Sequence, residues 1–247
     1  MSDVQQEAVA GRSAETIVSV SELVKVYDEG KQRLPVRALN SVNLTIEAGE
    51  FTALVGPSGS GKTTLLNMIG GLDQPTSGTV VVAGKDLATL DRAELADFRL
   101  WNLGFIFQAY NLIPVLSAFE NAEFTLLLQG VSVAERRRRV IEELATLGIE
   151  EELIDRRPGE LSGGQQQRIA VARALVSEPK IILADEPTAN LDSKTGDRLL
   201  DKMKQMNMET GVTFLFSTHD RMVMEKADRV VTLRDGAIVD HENHRHL

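Results

Sequence analysis

The sequence contains no cysteine, and aromatic residues make up only 4% of its 247 residues. Without cysteine, disulfides and thiolate metal sites are excluded, and a reducing compartment is the natural setting. Few aromatic side chains are present to stack on bases, and the net charge is -9. Because nucleic-acid-binding proteins usually present a basic face, we expect no nucleic-acid partner.

Long hydrophobic runs are also missing from the sequence. No apolar run approaches the roughly 20 residues that span a bilayer. The N-terminus does not have the basic and then apolar layout of a secretion signal. We therefore expect a cytoplasmic protein, and if it acts at a membrane, another polypeptide must supply the span.

The stretch 56–64 matches the phosphate-loop pattern G-x-x-x-x-G-K-S/T. Glycines let the backbone turn tightly and point its N–H groups at phosphate oxygens, the lysine adds a mobile positive charge, and the first threonine hydroxyl can ligate Mg²⁺. A glycine-rich turn that matches by accident is the alternative, but a strand-like run precedes the stretch and a helical run follows it, as the pattern requires. The predicted nucleotide-binding residues are Gly56, Pro57, Ser58, Gly59, Ser60, Gly61, Lys62, Thr63 and Thr64.

The rest of the chain divides by pattern into four parts. Residues 1–15 are small and polar and predict a disordered leader. Alternating apolar residues from about 16 to 46 predict an antiparallel sheet beside the nucleotide-binding strand. Residues 111–178 have mostly helical spacing and predict an all-helical subdomain. The tail 241–247 carries three histidines, and we expect a solvated end, with metal binding as the less favoured alternative.

Two acids follow a second apolar strand. Four apolar residues lead directly into Asp185 and Glu186, which is typical of a buried parallel strand that delivers carboxylates at its end. Asp185 suits the Mg²⁺ shell, and Glu186 points to the opposite side, where it can act as general base on water. A helix cap or a solvated pair is the alternative. His219 and Gln108 also follow strands and are further candidates for the same site.

A second glycine-rich segment resembles another anion-binding helix start. It consists of Ser162, Gly163, Gly164 and Gln165 and lies about 100 residues after the first. Two such helix starts suggest that two copies meet, each capping the other's phosphate loop; a turn between helices is the alternative. Tyr27, one of only two tyrosines, is either a half-buried sheet residue or a ring that stacks on adenine.

These motifs, in this order, resemble the nucleotide-binding subunit of ATP-binding cassette (ABC) transporters from about residue 17 to 240. The most specific is Leu-Ser-Gly-Gly-Gln at 161–165. The resemblance implies an α/β fold: a P-loop NTPase core with a mostly parallel sheet, an antiparallel β subdomain and an all-helical subdomain, with 16–240 as the ATPase domain. It also implies ATP and Mg²⁺ as cofactors, an ATP-sandwich homodimer and an integral-membrane permease partner, at the cytoplasmic face of the inner membrane.

The resemblance also implies a role for each site residue. Thr63, Gln108 and Asp185 would hold the metal, and Gln108 would sense the γ-phosphate and couple to the permease. Glu186 would be the base and His219 would hold the γ-phosphate and position Glu186. The remaining roles are Tyr27 stacking on adenine, Ser162 with Gly164 contacting ATP held by the other copy, and Asp192 communicating between the two sites.

Three stretches, 67–73, 104–108 and 183–188, are similar to the branch that contains MacB and LolD, the macrolide-exporter and lipoprotein-releasing ATPases. Ala189 stands where that branch usually has glycine. One alternative is a regulatory transmitter of the FtsE type that switches a partner across the membrane. Another is a soluble ABC ATPase acting on DNA or ribosomes, but such members carry a long coiled-coil insertion or two cassettes, and neither occurs here.

Overall fold

The computed structural model describes residues 15–28 and 34–244. The predicted leader, apart from Glu15, lies outside the described residues, as do residues 29–33. Within the described part the strands are β1 (Thr16–Tyr27), β2 (Val36–Glu47), β3 (Phe51–Val55), β4 (Ser77–Val82), β5 (Lys85–Asp86), β6 (Leu103–Ile106), β7 (Ile181–Asp185), β8 (Thr213–Thr218), β9 (Arg229–Arg234) and β10 (Ala237–Asn243). The α-helices are α1 (Lys62–Ile69), α2 (Arg92–Asn102), α3 (Ala118–Leu128), α4 (Val133–Thr146), α5 (Gly163–Leu175), α6 (Ser193–Thr210) and α7 (Arg221–Lys226).

A six-stranded sheet forms the centre of the molecule, in the order β10-β9-β3-β8-β7-β6. Every pair is parallel except β9 with β10. Successive side chains of a strand point to opposite faces. Phe51, Phe214 and Phe216 therefore pack into the core on one face, whereas Leu54 and Leu215 belong to the core on the other. Apolar layers on both faces are what the continuous apolar strands predicted, and the mostly parallel α/β class is confirmed.

The antiparallel sheet predicted from the N-terminal pattern is present, in the order β2-β1-β4-β5. Its buried residues, such as Val20, Leu23 and Leu39, share one core with the apolar face of α1 and one face of the large sheet. This packing brings the end of β1, at Tyr27, to the side of the molecule that carries α1.

Helices α3, α4 and α5 pack on one another and make up most of the segment 111–178. Ser117 and Glu120 form a reciprocal capping box that begins α3. Helix α5 begins at Gly163, so the second glycine-rich segment is a helix start, as its sequence indicated. Ser162 and Gln165 form another capping box there.

The C-terminal hairpin corrects one expectation. Asp235 and Gly236 form its two-residue turn with φ values of 49° and 76°, the left-handed conformation that such turns require. Strand β10 then continues to Asn243, so residues 241–243, which we expected in a solvated tail, pair with β9. Backbone hydrogen bonds extend the ladder here although the sequence offers no apolar alternation. His241 also lies 3.0 Å from an Arg229 guanidinium nitrogen.

Candidate functional site

The candidate site lies where the carboxyl ends of β3, β7 and β8 meet, an edge where open α/β sheets commonly bind ligands. The loop after β3 is closely packed. A Cβ on Gly56 would lie 2.0 Å from the Leu233 carbonyl oxygen, and a Cβ on Gly61 would lie 2.5 Å from the Ala38 carbonyl oxygen. Both glycines also have positive φ values, 151° and 104°. Only glycine therefore fits these two positions of the loop.

Helix α1 differs from the other helices at its first turn. Its N-cap is Gly61, with no side chain to accept the free backbone N–H groups. Those N–H groups, with the positive end of the helix dipole, form a site for an anion. The other six α-helices of the described residues begin with a capping side chain: Asp91, Ser117, Ser132, Ser162, Asp192 and Asp220.

Lys62 folds over this loop. Its ammonium group donates to the carbonyl oxygens of Gly56 at 2.8 Å and Pro57 at 3.1 Å, and the residue is only 9% exposed. The charge is therefore held at the start of the phosphate loop, which leads to the uncapped helix start. An anion bound there exchanges these neutral acceptors for a charged one, which makes a stronger hydrogen bond.

Thr63 and Asp185 come together across the mouth of the site. The Thr63 hydroxyl lies 3.1 and 3.2 Å from the two Asp185 carboxylate oxygens. Among residues 15–28 and 34–244, no group of three or more His, Cys, Asp or Glu could hold a metal ion. A metal here would have few protein ligands, and that favours Mg²⁺, which keeps waters and takes phosphate oxygens.

Gln108 is not joined to this pair by a hydrogen bond. Its side chain is exposed, and its backbone carbonyl oxygen accepts a bond of 2.7 Å from the Asn190 side chain. The structure thus brings two of the three predicted metal residues into contact. The third, Gln108, is held through its backbone by Asn190, four residues after Glu186.

Glu186 faces away from Asp185, as the strand end predicted. One carboxylate oxygen lies 2.8 Å from His219 Nδ1, and the other lies 3.5 Å from the Thr218 hydroxyl. Its φ of 49° is unusual for a residue with a long side chain, and a backbone hydrogen bond to Ser217 at 2.8 Å helps to hold it. The two acids are therefore separated: one beside Thr63, the other beside an imidazole and able to accept a proton.

Sequence reasoning missed the side chains that hold the His219 loop. The buried Thr188 hydroxyl donates to the Asp220 carboxylate at 2.7 Å. The same carboxylate caps α7 by accepting from Met222 N at 2.9 Å. Because Thr188 lies two residues after Glu186 and Asp220 directly follows His219, this bond fixes the two loops to each other.

Tyr27 lies at the end of β1, next to Thr64 of the phosphate loop. Its hydroxyl donates to Asp73 at 2.9 Å, and the Lys25 ammonium group, itself bonded to Asp73, lies 4.7 Å from the ring centroid. Burial, followed by the Asp73 hydrogen bond, raises the Tyr27 pKa, so the phenol stays protonated at neutral pH. The residue is nevertheless 37% exposed. It is anchored at its hydroxyl end and open to a planar ligand.

The second glycine-rich segment lies apart from the first. Ser162 accepts from Gln165 N at 3.3 Å and Asp192 accepts from Thr195 N at 3.1 Å, so both residues serve as helix caps in this chain. Hydrogen bonds from Thr195 also lower the Asp192 pKa. Within the described parts of the chain, no hydrogen bond joins residues 161–165 to residues 56–64. The neighbours of Gly163 include Tyr110 and Asn190, whereas those of Gly61 include Ala38 and Leu233, so the two segments have different surroundings within one copy.

Comparisons with known proteins agree with this geometry. A sequence model of a family described as ABC transporter matches residues 39–189. An uncharacterized ABC transporter ATP-binding protein, MJ0796 of Methanocaldococcus jannaschii, is 44% identical over 93% of this chain and 98% of its own length. The macrolide export ATP-binding/permease protein MacB of Hyphomonas neptunium is 44% identical over 93% of this chain, which spans only 35% of that protein.

Solved structures show the same similarity in three dimensions. A dimeric post-hydrolysis structure of the MJ0796 cassette, bound to ADP and Pi, matches with a TM-score of 0.88 at 44% identity, over 93% of this chain and 100% of that one. CbiO1 of Clostridium perfringens, part of the transporter complex cbiONQ, matches with a TM-score of 0.81 at 32% identity, covering 93% and 89% of the two chains. In the described residues, no helix is long and apolar enough to cross a membrane. The chain belongs to the ABC transporter family, as an ATP-binding cassette whose ATPase chemistry uses ATP with Mg²⁺.

Proposed function

We propose that two copies of this chain close on two Mg-ATP molecules and that hydrolysis drives an integral-membrane permease. The observation that carries the ATPase assignment is the pairing of Thr63 with Asp185 beside an uncapped helix start, with Glu186 and His219 on the other side of the strand end. In this arrangement the helix start would bind phosphate, Thr63 and Asp185 would bind the metal, and Glu186 would act as the base.

We assign a role to each residue of the proposed site. The loop 56–64 cradles the phosphates, Thr63, Asp185 and Gln108 serve the metal, and Tyr27 stacks on adenine. Glu186 takes a proton from the attacking water, and His219 orients Glu186 through the contact of 2.8 Å. Ser162, Gly163, Gly164 and Gln165, with Asp192, complete the nucleotide site of the partner copy.

The separation of the two glycine-rich segments supports a dimer. The first segment has an uncapped helix start, the second begins a helix that Ser162 caps, and the two are not bonded to each other within one copy. The relative MJ0796, at 44% identity, has been solved as a dimer. A composite site in which the Ser162 segment of one copy closes the phosphate loop of the other accounts for both observations.

The permease is proposed from an exposed apolar surface, which we call the α2/α3 patch, made of Trp101, Leu127 and Leu128. These side chains are 57%, 47% and 59% exposed. The two helix ends are neighbours, because the Gln129 side chain donates to the Leu100 carbonyl at 3.0 Å. Grouped exposed apolar residues mark interaction sites. A permease bound here would place the chain at the cytoplasmic face of the inner membrane.

Among ABC systems, similarity to MacB favours mechanotransmission: the dimer would move an attached apparatus that exports or extracts a lipoprotein, peptide, lipid or drug. The chain spans about a third of the length of the MacB relatives. The permease part of such a system would therefore reside on another polypeptide or segment.

Affinity purification of the tagged chain from membranes tests the permease proposal. We expect one integral-membrane protein to co-purify in stoichiometric amount and to change the ATPase rate. Leu128→Gln with Trp101→Gln should lose this partner, because polar side chains no longer fill an apolar contact. The matched control is Met208→Gln, a residue 70% exposed on α6, which should keep it. Recovery of the chain only with ribosomes or DNA, or equal binding by both variants, would contradict the proposal.

Tyr27→Ala should weaken ATP binding by about 1 to 3 kcal/mol, the range found for the stacking of a base on an aromatic side chain. Tyr27→Phe keeps the ring but loses the hydrogen bond to Asp73, so its affinity should stay close to that of the parent. Equilibrium titration with ATP in the absence of hydrolysis measures both. Unchanged affinity in Tyr27→Ala would leave the tyrosine with a structural role only.

A further inference from the structure

Two consecutive residues just after Gln108 have a strained backbone. Tyr110 and Asn111 have φ values of 61° and 50°. Asparagine tolerates this left-handed region, but a bulky residue such as tyrosine is an outlier there. Such conformations persist only where the surroundings hold them, and they concentrate at functional sites.

Arg173, on α5, stabilises this strained backbone by hydrogen bonding. Its guanidinium donates to the Asn111 carbonyl at 2.6 Å and to the Tyr110 carbonyl at 2.9 Å. The side chain is largely buried, and burial lowers its pKa. No carboxylate in the described residues pairs with it. A largely buried guanidinium that donates to carbonyl oxygens makes strong, charge-assisted bonds to them.

The same short segment touches two other parts of the proposed site. A Cβ added to Gly163 would lie 3.0 Å from the Tyr110 hydroxyl, so the tyrosine ring reaches the first turn of α5. On the other side, Asn190 donates to the Gln108 carbonyl at 2.7 Å. Residues 108–111 are thus held between the glycine-rich helix start and the loop that follows Glu186.

We propose that Arg173 is a positioning residue: by holding the carbonyls of Tyr110 and Asn111 it keeps the left-handed turn, and the turn fixes Gln108 relative to the metal and the attacking water. The inference rests on the role proposed above for Gln108. It adds a physical link between the Ser162 helix start and Gln108, because Arg173 and Gly163 belong to the same helix.

Arg173→Met tests the proposal, since methionine suits a helix and keeps much of the volume but cannot donate. We expect kcat to fall by about 10- to 100-fold, because a small displacement of a catalytic group lowers the rate by such a factor. We also expect the Mg²⁺ concentration for half-maximal hydrolysis to rise. ATP binding without Mg²⁺ should not change, because Lys62 and the loop 56–64 are untouched. Arg173→Lys keeps the charge but cannot donate from two nitrogens in the fixed guanidinium geometry, so its kcat should lie between those of the parent and Arg173→Met.

A matched pair at position 110 separates positioning from simple loss of structure. Tyr110→Gly and Tyr110→Ala remove the same ring, but only glycine adopts a φ near 60° without cost. If Arg173 acts by holding the turn, Arg173→Met should cost less kcat in the Tyr110→Gly background than in the Tyr110→Ala background. Should Arg173→Met fail to fold, Arg173→Lys takes its place in the comparison.

The outcomes distinguish this inference from the function it rests on. Gln108→Ala should itself lower kcat and raise the Mg²⁺ requirement; no change there would overturn the role of Gln108. A clear effect of Gln108→Ala with an unchanged kcat in folded Arg173→Met would overturn the positioning role alone. Equal losses in the glycine and alanine backgrounds, accompanied by equal loss of Mg²⁺-free ATP binding, would also overturn it, because they indicate a structural role.

Discussion

Glu186→Gln should retain ATP binding while hydrolysis falls by about 10²-fold or more, the loss expected when a general base is removed. The amide keeps the shape of the carboxylate and can still meet His219, which lies 2.8 Å from the native oxygen. It cannot accept the proton of the attacking water. Single-turnover phosphate release measures the chemical step, and equilibrium titration measures ATP binding.

Glu209→Gln is the matched control for this experiment. Glu209 is an exposed glutamate at the end of α6 whose carboxylate accepts from Gln205, and it lies outside the proposed site. We expect its turnover to equal that of the parent. Near-normal phosphate release by Glu186→Gln would refute Glu186 as the base. Loss of ATP binding in that variant would instead show that the carboxylate is needed for nucleotide affinity.

Ser162→Arg should abolish hydrolysis at every protein concentration while each copy still binds ATP. A large cation at the start of α5 would fill the space that the proposed partner phosphate loop needs, so the dimer cannot close. Because ATP binding within one copy depends on residues 56–64 and Tyr27, affinity should be preserved. In the parent protein, turnover per chain should rise with protein concentration, as assembly of the active dimer requires.

Ser132→Arg controls for the loss of a helix cap. Ser132 is an exposed serine that caps α4 as Ser162 caps α5, by accepting from the N–H of the residue three positions on. Removing either cap should cost a similar free energy of folding, about 0.5 to 2 kcal/mol. Only the change at Ser162 should remove hydrolysis. A Ser162→Arg variant with the turnover of Ser132→Arg would exclude the composite site.

The parts of the site that sequence predicted are those that depend on short patterns. The glycines at 56 and 61 are dictated by close approach and positive φ, and an apolar strand that ends in Asp185 and Glu186 directs the two acids to opposite sides. Both features are fixed within ten residues of chain. Local sequence therefore predicted the close-packed phosphate loop and the placement of Asp185 and Glu186 on opposite sides of the strand end.

The residues that sequence missed act over long distances. Arg173 holds the carbonyl of Tyr110 from 63 residues away, and Asp73 anchors Tyr27 from 46 residues away. Nothing in the spacing near either partner reveals such contacts. For Tyr27 alone there was one indication. Lys25 lies two residues earlier in the same strand and therefore shares its face, so an acid that pairs with Lys25 can also reach Tyr27. Ladder pairing likewise extended β10 to Asn243 although its sequence carries no strand pattern.

Crosslinking between copies tests the composite site most directly. Because the sequence has no cysteine, only the introduced cysteines can react. One chain carries Ser58→Cys in its phosphate loop and another carries Ser162→Cys, both with Glu186→Gln so that the bound ATP is hydrolysed only slowly. A short bis-maleimide should join the two chains only when Mg-ATP is present. If the chains are not joined with Mg-ATP, or if a chain with both cysteines is joined only within itself, each nucleotide is bound by a single copy and the account is contradicted.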